Sequence, residues 1–144
     1  MSQLVAVGTV AFDAIETPFG KTDKILGGAA TYIGLAASHL NADVALVAII
    51  GDDFPQSFLD TMVSRGINLD GVDVIAGEKS FYWSGRYHHD MNSRDTLATE
   101  LNVLTQFNPK VPNNYKNADI LLLGNLNPEA QLAAIDQMNG PKFI

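Results

Sequence analysis

The stretch from Leu26 to Asp53, LGGAATYIGLAASHLNADVALVAIIGDD, constrains the fold more than any other part of the chain. Paired glycines, Gly27-Gly28, open a helix rich in small residues from Ala29 to Leu40. There Ile33, Ala36, Ala37 and Leu40 recur at helical spacing. Gly34 and the alanines fit close packing against a flat partner. Asp43 to Ile50 is then a near-continuous valine- and isoleucine-containing run, the pattern of a strand covered on both faces. A strand buried on both sides and reached through a helix demands an α/β architecture with a parallel sheet and right-handed crossovers.

The rest of the chain repeats this alternation. Leu4 to Val7 reads as a buried strand ended by Gly8. Ile15, Thr17 and Phe19 alternate around Pro18 and Gly20, and Lys24 to Leu26 returns as a short strand, together a solvent-facing flap. After Gly51, Asp52 or Asp53 is placed to cap a helix that buries Phe58, Leu59, Met62 and Val63 and stops at Gly66. Val72 to Ile75 and Ala118 to Leu123 read as strands. Pro128 starts a helix through Met138 with Leu132 and Ile135 inward. Lys142 to Ile144 begins another strand. Asp95 to Phe107 is ambiguous, with Leu97, Leu101 and Leu104 at roughly helical spacing.

At 144 residues, 47% hydrophobic and 17% charged, the chain fits one globular domain. The formal net charge of −7 and the lack of a basic patch argue against nucleic acid as a partner. There is no cysteine, which excludes disulfides and thiolate metal sites. No signal peptide is evident, and no apolar run is long enough for a membrane span, so a cytoplasmic protein is expected.

Several residues are candidates for chemistry. Asp13 follows the first strand, where ligands of open α/β sheets bind, and its carboxylate can accept hydrogen bonds from vicinal hydroxyls. Gly27-Gly28 is a helix-start ligand signal or an ordinary loop; it matches neither a Walker A loop nor a GxGxxG motif. Gly51-Asp52-Asp53 reads as a turn and cap rather than a metal site. His88 and His89, adjacent on a strand, face opposite sides and are poor co-ligands, so no metal site is assigned. Phe81, Trp83, Arg86 and Tyr87 stand out in this segment, and Phe81 and Trp83 share a strand face. Gly85 suggests a bulge that resets the phase before Arg86. These aromatics and the arginine either stack on a base or sugar or belong to a packed or dimer-facing sheet. No nucleophilic triad is present.

In order and spacing, these features resemble the PfkB family of carbohydrate and nucleoside kinases, the ribokinase-like fold. The resemblance rests on Val7-Gly8 followed by Asp13 and on Gly27-Gly28 opening a helix. It continues through Val47-Ala48-Ile49-Ile50-Gly51-Asp52-Asp53-Phe54 and Arg65-Gly66-Ile67 followed by Val72. The segment Phe81 to Asn102 is most similar to the nucleoside-kinase-like branch. The resemblance implies a three-layer, Rossmann-like parallel sheet flanked by helices, with a small β lid. The lid segments are about 14–26 and 80–105, within residues 1–144 as the N-terminal part of a kinase domain. It also implies transfer of the γ-phosphoryl of ATP, with Mg2+, to a hydroxymethyl group of a sugar or nucleoside.

By the same resemblance Asp13, Gly27 and Gly28 bind substrate hydroxyls and Asn125 lies near the substrate. Tyr32 stands about where sugar kinases of the family carry an asparagine, leaving room for stacking on a base, and Phe81, Trp83 and Arg86 complete the set. The family's catalytic aspartate sits in a Gly-Ala-Gly-Asp motif, which does not occur here. The reading is therefore a truncated, substrate-binding half without a catalytic base or a full ATP and Mg2+ site. Poor stability as an isolated monomer is expected. The alternative is a non-catalytic binding or assembly module that dimerises through its lid or an exposed sheet edge.

Overall fold

The computed structural model describes residues 2–40 and 42–144. Strands β1 (Gln3–Val7), β2 (Ala11–Thr17), β3 (Gly20–Lys21) and β4 (Ile25–Gly27) precede helix α1 (Ala29–Ser38). Strand β5 (Asp43–Gly51), helix α2 (Gln56–Ser64) and strands β6 (Asn68–Ile75), β7 (Tyr82–Tyr87) and β8 (Arg94–Glu100) follow. Two short 3-10 turns, Asn102–Gln106 and Asn113–Tyr115, lead to β9 (Ile120–Leu123) and α3 (Pro128–Ile135).

The strands form two sheets. One is parallel, in the order β6-β5-β1-β9, with Val5 opposite Ala45 and Leu121. Phe143 adds a parallel bridge beside Ile120, where the sequence suggests a further strand. Alternate residues of this sheet enter two cores. Leu4, Ala6, Val44, Leu46, Ala48 and Ile50 pack with Ala30, Ala37 and Met62 of α1 and α2. Val5, Val7, Ala45 and Val47 pack on the other side with Tyr115, Leu121, Ala134 and Met138. Burial on both faces is why these strands read as unbroken apolar runs. The arrangement is a parallel sheet between two helical layers.

The second sheet has the order β3-β2-β7-β8, with β4 pairing the start of β2. The β2–β7 pairing is parallel, and β3, β4 and β8 pair antiparallel. The flap is thus part of a sheet built jointly with residues 82–100, and its β2 strand begins in the core, where Phe12 is buried.

Three local expectations are corrected. Leu40 is 80% exposed because α1 ends at Ser38, so the helical register is lost after Ala37; Ala36 is exposed as well. The inward face of α1 is instead Ala30, Thr31, Gly34 and Ala37. A Cβ on Gly34 would approach Leu46 Cδ2 to 2.9 Å, which accounts for the glycine. Asp52 and Asp53 do not cap α2, whose N-cap is Pro55. Their carboxylates instead accept from Gly77 N (2.8 Å) and from Ser80 N and Oγ (2.8 and 2.7 Å). Val63 and Leu132 are more than half exposed: on α2 the buried residue is Met62, and on α3 the small residues Ala130 and Ala134 carry the contact. The ambiguous stretch 95–107 resolves into the rest of β8 with Leu97, then Leu101 as the N-cap of a 3-10 turn that carries Leu104, so the helical spacing of its leucines is coincidental.

Candidate functional site

The two sheets meet where β1 ends, and a cavity of about 430 Å³ opens there. That volume lies in the usual range of small-molecule sites. Its lining includes Thr9, Asp13, Gly28, Tyr32, Phe81, Trp83 and Asn125. Asp13 comes from β2 and pairs in register with Trp83 of β7, so the two side chains share a face of the second sheet. Asn125 follows β9, where Gly124 N donates to Val7 O at 2.7 Å and holds this turn against the end of β1.

Gly27 is buried beneath Asp13: a Cβ at Gly27 would overlap the Asp13 carboxylate. The glycine therefore makes room for the carboxylate and sets its position. Burial pushes the Asp13 pKa above its ordinary value. Gly28 has φ +97°, and a Cβ there would strike the Thr9 carbonyl, so backbone conformation and space both require glycine.

At the start of α1 the first amides are taken up within the protein. Thr9 Oγ1 accepts from Ala29 N (3.0 Å) and Thr9 O accepts from Ala30 N (2.9 Å). These two donors are occupied within the protein. What the glycine pair supplies at this point is space rather than open N–H groups.

The aromatic wall is held from below. Asp53 and Asn102 both bond Ser80, Asn102 Nδ2 donating to its carbonyl at 2.9 Å, which fixes the entry into β7 beside Phe81. Trp83 and Tyr87 follow on the cavity side. Tyr32 closes the α1 side, its hydroxyl donating to Leu26 O at 3.1 Å.

Arg86 is not among these residues. The irregularity near Gly85 lies between Ser84↔Ala98 and Gly85↔Thr96, so the extra residue is Leu97 of β8. The β2–β7 register runs unbroken from Phe12↔Tyr82 to Glu16↔Arg86. Phase in β7 is thus kept rather than reset, and Arg86 turns from the cavity to bond Glu16 at 3.0 Å. Of the two residues singled out after Gly85, strict period-two counting from Phe81 and Trp83 keeps Tyr87, not Arg86, on the cavity side. Thr9 and Arg94 also line the cavity and carried no sequence signal of their own. His88 bonds Asp95 at 2.9 Å, and among the described residues no group of three His, Asp or Glu side chains is placed to hold a metal ion.

No protein-family model matches the chain. It is 30% identical, over 143 residues, to a cytidine kinase of Thermococcus kodakarensis, matching 99% of this chain and 50% of that protein. A nucleoside kinase of Methanocaldococcus jannaschii, described as an archaeal member of the ribokinase family, superimposes with a TM-score of 0.76 at 18% identity. That match covers 98% of this chain and 50% of the other. A nucleoside kinase of Burkholderia thailandensis in complex with inosine gives a TM-score of 0.60 at 23% identity, covering 72% and 37%. The chain thus spans about half the length of the curated relative it matches.

Proposed function

We propose that this chain, a relative of the PfkB carbohydrate and nucleoside kinases with their ribokinase-like fold, provides the substrate-binding part of an ATP-dependent kinase. The acceptor is a hydroxymethyl group of a nucleoside or sugar. The observation that carries this reading is the Asp13 carboxylate, seated over Gly27 and facing the cavity at the carboxyl end of the parallel sheet. An acceptor-only group there suits the donating hydroxyls of a sugar ring. Asn125 offers both donor and acceptor, and Tyr32, Phe81 and Trp83 offer ring faces and edges. In this reading residues 14–26 and 80–105 are the lid over the substrate, and Gly27 and Gly28 act by placing Asp13 and the start of α1.

This reading does not assign the nucleotide end of the reaction to residues 1–144, because the chain lacks a Gly-Ala-Gly-Asp sequence. Phosphoryl transfer depends on positioning and charge neutralisation by such groups. The reading therefore assigns substrate recognition to residues 1–144 and no catalytic base. Incubating the chain with ATP, Mg2+ and a nucleoside panel is expected to give no phosphorylated product. Robust turnover would refute the assignment.

The outer edge of β8 favours a second copy as partner: it has no neighbouring strand among the described residues, and Leu97 beside it is 47% exposed. Sedimentation is expected to show a dimer that a Leu97→Lys substitution dissociates. A monomer at all concentrations would exclude this pairing.

A further inference from the structure

Trp83 is the single tryptophan of the chain. Its indole lies along β7 over the buried Gly85. A Cβ at Gly85 would overlap the benzenoid ring and come to 3.0 Å from Cζ3. From β8, Arg94 places its guanidinium 5.9 Å from the indole centroid. Among the described residues no carboxylate lies within ion-pair distance of Arg94, whereas Arg86 is engaged by Glu16. Arg94 lines the same cavity as Asp13. The strands that carry these two residues flank β7, two strand spacings or about 10 Å apart.

We propose that Gly85, Trp83 and Arg94 form a unit that makes the cavity select a nucleoside over a free sugar. Gly85 is its positioning residue and Arg94 is its donor to acceptor atoms of the base. The inference rests on the reading of this cavity as the substrate site. One border of the cavity carries an acceptor-only group, Asp13, and the other a donor-only group, Arg94. Between them stand Phe81, Trp83 and Tyr87. A nucleoside matches that order: hydroxyl donors at one end, then a planar ring bearing carbonyl and ring-nitrogen acceptors. A free sugar leaves the aromatic wall and Arg94 unused. A sugar phosphate satisfies Arg94 but sets a hydrated anion against three aromatic rings.

With only one tryptophan, emission reports this unit directly. The 144-residue chain is titrated with cytidine, inosine, ribose and fructose 6-phosphate, each followed by Trp83 fluorescence and by calorimetry. Nucleosides are expected to change the emission saturably and to bind at least about tenfold more tightly than ribose, one good polar contact's worth. Arg94→Met is expected to weaken nucleoside binding by about tenfold and leave ribose unchanged, for loss of a charged donor. Gly85→Ala is expected to shift the unliganded emission, because the indole must leave its seat, and to weaken nucleosides. If Gly85→Ala fails to fold by circular dichroism, the Arg94→Met arm decides. Equal affinity for ribose and nucleosides would overturn the selection while leaving the substrate site standing. Tightest binding of fructose 6-phosphate, lost in Arg94→Met, would overturn it in favour of an anion site. Heat-silent titrations with every ligand would overturn the substrate site and this inference with it.

Discussion

Asp13 sits where its own charge is disfavoured. Burial raises its pKa, so the folded chain holds the proton more tightly than the unfolded chain does. Between the unfolded value and the raised folded value the native state binds more protons, so stability falls as pH rises through that window. Above that window the ionised carboxylate costs stability, and its use lies in the ligand it accepts from. Asp13→Asn is expected to raise the urea midpoint of the unliganded chain at pH 7 while weakening ligand binding at least about tenfold, by loss of charge-assisted acceptors. Paired denaturation and calorimetry check this; a variant that is both less stable and equally tight would contradict it. In the wild type, binding should also weaken as pH falls through the raised Asp13 pKa. At this scale the sequence singled out Asp13, Gly27 and Gly28 by position after a strand and before a helix, but the reason for each glycine lies far off in the chain, in Asp13 for Gly27 and Thr9 for Gly28. Arg94 was not legible. Its role depends on β8 lying beside β7, a pairing that no spacing along the chain reveals.

The start of α1 shows how an element is set by a residue outside it. Thr9, 20 positions earlier, accepts from Ala29 N on its hydroxyl oxygen and from Ala30 N on its carbonyl. Thr9→Val removes the hydroxyl contact and keeps the carbonyl one, and is expected to cost about 1 kcal/mol, the usual value of a helix cap. Gly28→Ala forces a side chain into the left-handed region and against the Thr9 carbonyl. Its expected cost is larger, about 1–3 kcal/mol. Urea melts of the two variants rank them, and Thr9→Val exceeding Gly28→Ala would contradict this account of the turn. Elements buried on both faces were readable in the sequence, since Val44 to Ile50 leave no polar phase to misjudge. Elements with one exposed face were less so. Leu97, Leu101 and Leu104 imitate a helix because a strand, a bend at Leu101 and a 3-10 turn happen to space them that way. Gly85 marked an irregularity, but the extra residue stands across the ladder on β8, and a glycine cannot say which strand carries the insertion.

For the molecule as a whole, polar contacts tie the parallel sheet to the layer packed against it. Tyr115 is buried at the end of the 3-10 turn Asn113–Tyr115 and donates its hydroxyl to Asp43 Oδ1 at 2.6 Å, while Gln3 Nε2 donates to the other oxygen at 2.9 Å. One carboxylate thus joins the first residues of β1 and β5 to the segment before β9. The Tyr115 and Gln3 hydrogen bonds hold the Asp43 pKa below its ordinary value. Its contribution is present above the unfolded pKa and is lost as pH falls through the lowered folded one. Burial, with the Asp43 contact, pushes Tyr115 up to about 12. That contribution is complete below the ordinary tyrosine value and is lost as pH rises toward 12. Tyr115→Phe is expected to cost about 1–3 kcal/mol and to flatten the acid limb of the stability curve. Stability-against-pH curves of both forms read this out, and parallel acid limbs would contradict it.

The far end of β1 is held by Gly8 N donating to Val47 O at 3.1 Å and Gly124 N donating to Val7 O at 2.7 Å, which set Thr9 and the approach to Asp13. The central claim is that residues 1–144 form a substrate site centred on that carboxylate. Calorimetric titration of the chain with a nucleoside, beside its Asp13→Ala variant, tests it most directly. The account predicts saturable one-site binding that the variant loses. Absent binding, or an affinity unchanged in Asp13→Ala, would contradict it.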